Sequence, residues 1–246
     1  MTHVLVTRPL EASRQLAEQL DALGLFPIVM PLYTFSAREP SLDLESVWAS
    51  ASLRKLAVFT SPRAVQYGLG HIPHDQVDKL EFAVVGSATR SSLESSGVPV
   101  HLQASSGYSS EDLLQIPELA NDVGEAIVFC APGGRETLVT GLVDMGWNVV
   151  KAMVYERLPL QAESAQLDAI RAAEDMLSVW TSISALSLAS ESLPEPVWMK
   201  ILSSPALVIS SRIQHHLQQL GAASVELAEG PGNTELLRSI LRLTGH

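Results

Sequence analysis

The chain has 246 residues, 46% of them apolar and 17% charged, with a net charge of −11. This is the composition of a folded protein with enough chain for one large core or two ordinary ones. It excludes a disordered chain, and no apolar run reaches the ~18 residues a membrane helix needs. The acidic balance, with Lys and Arg scattered rather than striped, argues against a nucleic-acid surface.

Taken in order, the chain repeats one pattern. Short apolar runs read "HVLV", "LAVF", "FAVV", "AIVF", "LSVW" and "ALVI", each strand-length and rich in Val, Ile or Phe. Each is followed by a polar turn and a helical spacing, as at Leu16, Leu20 and Leu23. Continuous apolar strands alternating with helices imply an α/β fold, a parallel sheet covered on both faces. The start, "MTHVLVTRPLEASRQ", lacks the basic and apolar regions of an export signal. The one cysteine, Cys130, allows no internal disulfide. Both features lead us to expect a cytoplasmic protein.

The chain is also written twice. "AVFTSPRAV" at 57–65 returns as "SVWTSISAL" at 178–186, and a shift of 122 residues lays Leu16 on Leu138, Leu20 on Leu142, Gly24 on Gly146 and Tyr33 on Tyr155. A shift of 124 lays "AVVGSATRSSLESSG" on "LVISSRIQHHLQQLG", with Gly86 on Ser210 and Gly97 on Gly221. A tandem duplication of about half the chain follows, and with it two similar domains. The polar, proline-containing stretches after Tyr33 and Tyr155 read as linkers, residues 33–39 and 154–160. If the chain crosses between domains at both, residues 1–32 belong with 161–246, and residues 40–153 form the other domain. Periodicity alone leaves a simple sequential layout open.

Carried in order by "LVTRP", "VFTSPRAV", "VVGSATRSSLESSG", "APGGRETL" and "MVYER", essentially the whole chain resembles the uroporphyrinogen-III synthase family. The resemblance implies two doubly wound α/β domains joined by a two-stranded ladder, the first domain built from both chain ends. It implies closure of hydroxymethylbilane, a linear tetrapyrrole, to uroporphyrinogen III, with loss of water and inversion of the last ring. It implies no metal or organic cofactor, and a monomer with transient contact to the upstream hydroxymethylbilane synthase.

That substrate is polyanionic, so it calls for donors. Turns at the carboxyl ends of parallel strands, leading into helix N-termini, supply backbone N–H groups and small hydroxyls. The candidates are Thr7 and Arg8; Thr60 and Ser61; Gly86, Ser87 and Thr89; Gly134 and Arg135; Ser182; and Ser210 and Ser211. Ser and Thr at such positions are ordinary N-caps, worth about 1 kcal/mol each. Their placement in both repeats, with the resemblance, favours ligand contact for Ser61, Thr89, Ser182 and Ser211. Arg8 and Arg135 are open between substrate contact and solvation or salt bridging. The roles of Arg63, Arg90 and Arg212 are not assigned by the pattern. Cys130 ends a strand and is expected to be buried rather than reactive.

Tyr155 matches the linker tyrosine of the family and is the expected catalytic residue. A phenol keeps its proton at neutral pH and can donate a hydrogen bond to a departing hydroxyl. Tyr33, its repeat partner, is expected to be structural. Two departures from the family pattern are "VISSRIQ", where a glycine followed by threonines is common, and "SPRAV" in place of "SPNAV". A two-lobed solute-binding protein is the rival class, and its usual export signal is missing here.

Overall fold

A computed structural model describes residues 1–40, 44–52, 54–104, 109–134 and 136–245. Eleven strands are formed among these residues: β1 (Thr2–Val6), β2 (Phe26–Val29), β3 (Tyr33–Ala37), β4 (Lys55–Phe59), β5 (Glu81–Val84), β6 (Glu125–Cys130), β7 (Asn148–Met153), β8 (Tyr155–Pro159), β9 (Asp175–Trp180), β10 (Ala206–Val208) and β11 (Val225–Leu227). The chain divides into two compact units, Met1–Thr34 with Leu158–His246 and Phe35–Arg157. The expected α/β class is what forms: two parallel sheets and a small two-stranded one, β3–β8, made by the two connecting segments.

In the first unit the sheet order is β11-β10-β9-β1-β2, every neighbour parallel. In the second it is β5-β4-β6-β7, again all parallel. An isolated parallel bridge, Ala83 to Leu102, extends the β5 edge where β11 extends the other sheet. The duplication explains the match. Under the 122-residue shift β1 corresponds to β6 and β2 to β7; at shifts of 121 and 124, β4 corresponds to β9 and β5 to β10. Each sheet therefore joins one repeat's opening strands to the other's later ones.

Strand burial explains the unbroken apolar runs. All five residues of β4 are buried, and alternate side chains feed opposite cores. Ala57 and Phe59 pack with Phe82, Ile127 and Phe129 on one face; Leu56 and Val58 pack with Val128, Leu138 and Trp147 on the other. Phe59 lies flat on Phe129, 4.7 Å between ring centres. Replacing such a ring by alanine costs about 3–5 kcal/mol. In the first unit Val4, Val6, Leu177, Val179 and Leu207 meet Leu16, Leu20, Leu236 and Ile240.

The glycines that pair between repeats have a conformational reason. Gly24 and Gly146, with φ of 77° and 101°, and Gly97 and Gly221, with φ of 79° and 97°, all follow helices in the left-handed region. A side chain is disfavoured there, so both copies keep glycine.

Candidate active site

In each sheet the strand order reverses between two central strands, β4 and β6 in one unit, β9 and β1 in the other. Open parallel sheets bind ligands in the crevice at such a reversal, beyond the strand carboxyl ends. In the second unit that location holds a cavity of about 470 Å³, lined by Thr60 and Ser61 after β4, Ala131–Gly134 after β6, and Tyr155, Glu156 and Arg157 at the start of β8. Gly133 has φ +68°, which the tight Ala131–Gly134 turn requires; the turn is closed by Gly134 N–H donating to Ala131 O at 3.1 Å.

Tyr155 is 6% exposed, with Oη 3.0 Å from Ser61 Oγ. Ser61 is extended, φ −165°, and caps the helix Pro62–Gly68 by accepting from Ala64 N–H at 3.1 Å. A serine oxygen has one hydrogen and two lone pairs. With one lone pair taken by Ala64, Ser61 still donates to Tyr155 or accepts from it. The phenol ring is held on two sides: Tyr67 stacks on it and Phe35 meets it edge-on, both 5.8 Å between ring centres. The Tyr67 hydroxyl donates to Phe35 O at 3.3 Å, and the Arg63 guanidinium lies 4.9 Å above the Phe35 ring. Such aromatic pairs add roughly 0.5–1.5 kcal/mol beyond burial. Phe35 and Tyr67 were not legible as site residues. Only tertiary packing brings them to Tyr155.

The corresponding reversal in the first unit lies beyond β1 and β9. Ser182 caps the helix Ile183–Ser192 by accepting from Ala185 N–H at 3.1 Å, and its Oγ lies 3.4 Å from Tyr33 Oη. Arg8, half-buried, donates to Asn233 Oδ1 at the start of the helix Asn233–Thr244. Burial lowers the Arg8 pKa, and Tyr33 acts on it in the opposite sense.

The remaining candidates separate. Thr7 and Thr60 are 1% and 6% exposed, and their hydroxyls donate to Val179 O at 2.8 Å and Phe129 O at 3.0 Å. Those hydrogens pin the central strand pairs and are not available to a ligand. Thr89 is 3% exposed and its N–H donates to Gly86 O, so it faces protein. Gly86 caps the helix Ser87–Ser95 through backbone alone, and Ser87 is exposed as its first residue. Ser210, not Ser211, is the cap of the helix Ser211–Gln219, and Ser211 is exposed on its first turn. Arg135 lies outside the described residues. Cys130 is buried, and burial raises its thiol pKa to about 11, so it is a neutral packing group at physiological pH. No described helix is long and apolar enough to cross a membrane.

The fold and the polar reversal points define a duplicated two-unit α/β protein of the ligand-binding kind. A family model described as uroporphyrinogen-III synthase HemD matches residues 14–238, and the chain belongs to the uroporphyrinogen-III synthase family. It is 28% identical over 247 residues to uroporphyrinogen-III synthase of Escherichia coli, covering 96% of this chain and 99% of that one. The Salmonella typhimurium enzyme matches at 28% over 246 residues, again with 96% and 99% covered. Among solved structures, the fold resembles uroporphyrinogen-III synthetase from Helicobacter pylori with a TM-score of 0.65 at 17% identity, over 99% of this chain and 100% of the other. A mutant uroporphyrinogen III synthase from Thermus thermophilus gives 0.64 at 17% identity, with both chains covered in full.

Proposed function

We propose that the chain acts as a uroporphyrinogen-III synthase, a lyase that closes hydroxymethylbilane to uroporphyrinogen III, and that Tyr155 carries the dehydration. The observation that bears most on this is the Tyr155–Ser61 contact at the mouth of the second unit's reversal point, 3.0 Å between oxygens.

The chemistry begins with loss of hydroxide from the hydroxymethyl group of the first ring. In the productive arrangement Ser61 donates to Tyr155 Oη, which frees the phenol hydrogen for the departing oxygen. As the C–O bond breaks, that proton moves to the leaving hydroxide and water departs. Ser61 then stabilises the phenolate. The electron-rich last ring attacks the resulting carbocation through the carbon that leads to the spiro intermediate, and rearrangement inverts that ring. When the closed macrocycle regains aromatic pyrroles it sheds a proton, which returns to Tyr155. Atoms and charge balance with one water released. General-acid assistance of this kind contributes typically 10²–10⁴-fold. An aromatic clamp that fixes the phenol supports the same reading, since rate depends on the donor's placement at the reacting atom.

Of the rest of the substrate set, Gly86, Ser87, Ser182, Ser210 and Ser211 contribute at helix N-termini, Ser87 and Ser211 with exposed hydroxyls, and Gly134 lines the cavity. Thr7, Thr60 and Thr89, whose polar groups bond to protein, contribute by fixing the strand ends and turns that carry the site. We place the reaction in the cytoplasm, in a monomer that receives its reactive substrate by transient contact with hydroxymethylbilane synthase. The buried, neutral Cys130 is compatible with a reducing compartment. Incubating the purified protein with enzymatically generated hydroxymethylbilane tests the activity. Isomer III is expected at the expense of isomer I; isomer I alone would refute it.

A further inference from the structure

A partly buried arginine is ordinarily matched by a carboxylate, because desolvating a cation without compensation is costly. Most of the partly buried arginines follow this rule among the described residues. Arg38 pairs with Glu156 at 3.3 Å, Arg54 with Glu81 at 2.8 Å and Arg90 with Glu94 at 3.1 Å, while Arg63 lies on the Phe35 ring. Arg8 differs. Its side-chain partner is the neutral amide of Asn233, and no carboxylate of the described residues lies within 4.0 Å of it.

Its position gives this a direction. Arg8 follows β1, and Ser182 follows β9, so the two stand at the reversal point of the first unit's sheet, where parallel α/β sheets take ligands. Tyr33 joins them: its hydroxyl lies 3.4 Å from Ser182 Oγ, and it is near enough to Arg8 to oppose the lowering of the guanidinium pKa by burial. The first turn of the helix behind Ser182 carries no acidic residue. The acidic residue on the neighbouring helix, Glu235, sits over Gly230 and Gly232. A planar guanidinium beside a phenol and a serine suits one carboxylate, which Arg can take through two parallel N–H bonds.

The repeat sharpens the argument. Under the 122-residue shift the counterpart of Arg8 is Cys130, a buried, neutral thiol. The two reversal points thus share a Tyr–Ser pair, but the position that holds a guanidinium beside Tyr33 holds a thiol in the other copy.

We propose that Arg8, Tyr33 and Ser182 form a carboxylate subsite in the first unit that takes one acidic side chain of the tetrapyrrole, with Asn233 positioning the guanidinium. Tyr33 is on this view a binding residue, in contrast to the structural part expected from sequence. The proposal rests on the tetrapyrrole reading, and its test separates the two.

The test is equilibrium binding of uroporphyrin III, the stable oxidised relative of the product, alongside turnover of hydroxymethylbilane. Charge-assisted contacts are worth roughly ten- to hundred-fold in affinity. Arg8→Gln should weaken uroporphyrin binding about ten-fold or more. It should also raise KM by a similar factor, lower kcat far less, and flatten the salt dependence of binding. Arg8→Lys keeps the charge but not the paired donors and should fall between, which covers the case of Arg8→Gln failing to fold. Tyr33→Phe should weaken binding by a few-fold, about the worth of one neutral hydrogen bond. Unchanged affinity and KM in folded Arg8→Gln or Arg8→Lys overturns the subsite while leaving the activity reading standing. Arg8-dependent porphyrin binding without isomer III production would do the reverse. No porphyrin binding together with no isomer III production by the unaltered protein would overturn both.

Discussion

Tyr155 and Ser61, 94 residues apart and from different repeats, meet at 3.0 Å, and Tyr33 and Ser182 repeat the relation at 3.4 Å with the repeats exchanged. Because each sheet takes its strands from both copies, the tyrosine that opens a connecting segment reaches the serine of the other copy. Ser61 thereby has two tasks, capping a helix and holding a phenol.

Those two tasks separate in Ser61→Ala. Loss of the cap should lower stability by about 1 kcal/mol, read from chemical unfolding. Loss of the phenol's partner should lower kcat. If Tyr155 and Ser61 act as one unit, the double variant Ser61→Ala/Tyr155→Phe should be little slower than Tyr155→Phe alone. Additive effects on kcat would show that the two act separately.

The exchanged strands make an expectation about fragments. A fragment of residues 35–157 retains β4–β7 with their parallel pairings and both cores, and should unfold cooperatively by circular dichroism. A fragment of residues 1–123 has about the same length but lacks β6 and β9, the partners of β4 and β1. It should remain unfolded. A cooperative transition in the second fragment would contradict the exchanged arrangement.

How much of this was readable beforehand follows from where the information lies. Parallel α/β architecture and the duplication are local: strand-length apolar runs, left-handed glycines and linker tyrosines are each written in a few neighbouring residues. The exchanged layout is not, since periodicity is equally compatible with a sequential one. Ser61 and Ser182 were legible as helix caps, and Tyr155 as the residue that opens a connecting segment. Thr7, Thr60 and Thr89 were legible as turn residues, but which hydroxyls face neighbouring strands or protein is set by pairing across the sheet. Phe35, Tyr67 and Asn233 had no local signature, since each matters only for the residue that folding places beside it.

Cys130 supplies a test in pH. Its thiol titrates near 11 in the folded protein against an ordinary value of 9.0, because burial disfavours the thiolate. The neutral form is thus favoured by folding, and its contribution is complete below pH 9. It is lost as pH rises towards 11, where the unfolded chain ionises first. Cys130→Ala should therefore show a smaller fall in unfolding free energy between pH 8 and pH 10.5 than the unaltered protein. It should also leave no slowly alkylated thiol at neutral pH. Equal falls would mean the thiol is not desolvated as the packing implies.

The most direct test of the account is single-turnover and steady-state kinetics of Tyr155→Phe on hydroxymethylbilane, with isomers I and III quantified. The substitution keeps the ring between Tyr67 and Phe35 and removes the oxygen. We expect kcat to fall about 10²-fold, the low end for a general acid, with KM changed little and isomer I rising as uncatalysed closure competes. Full kcat with an undiminished yield of isomer III would contradict the assignment of Tyr155 as the proton donor.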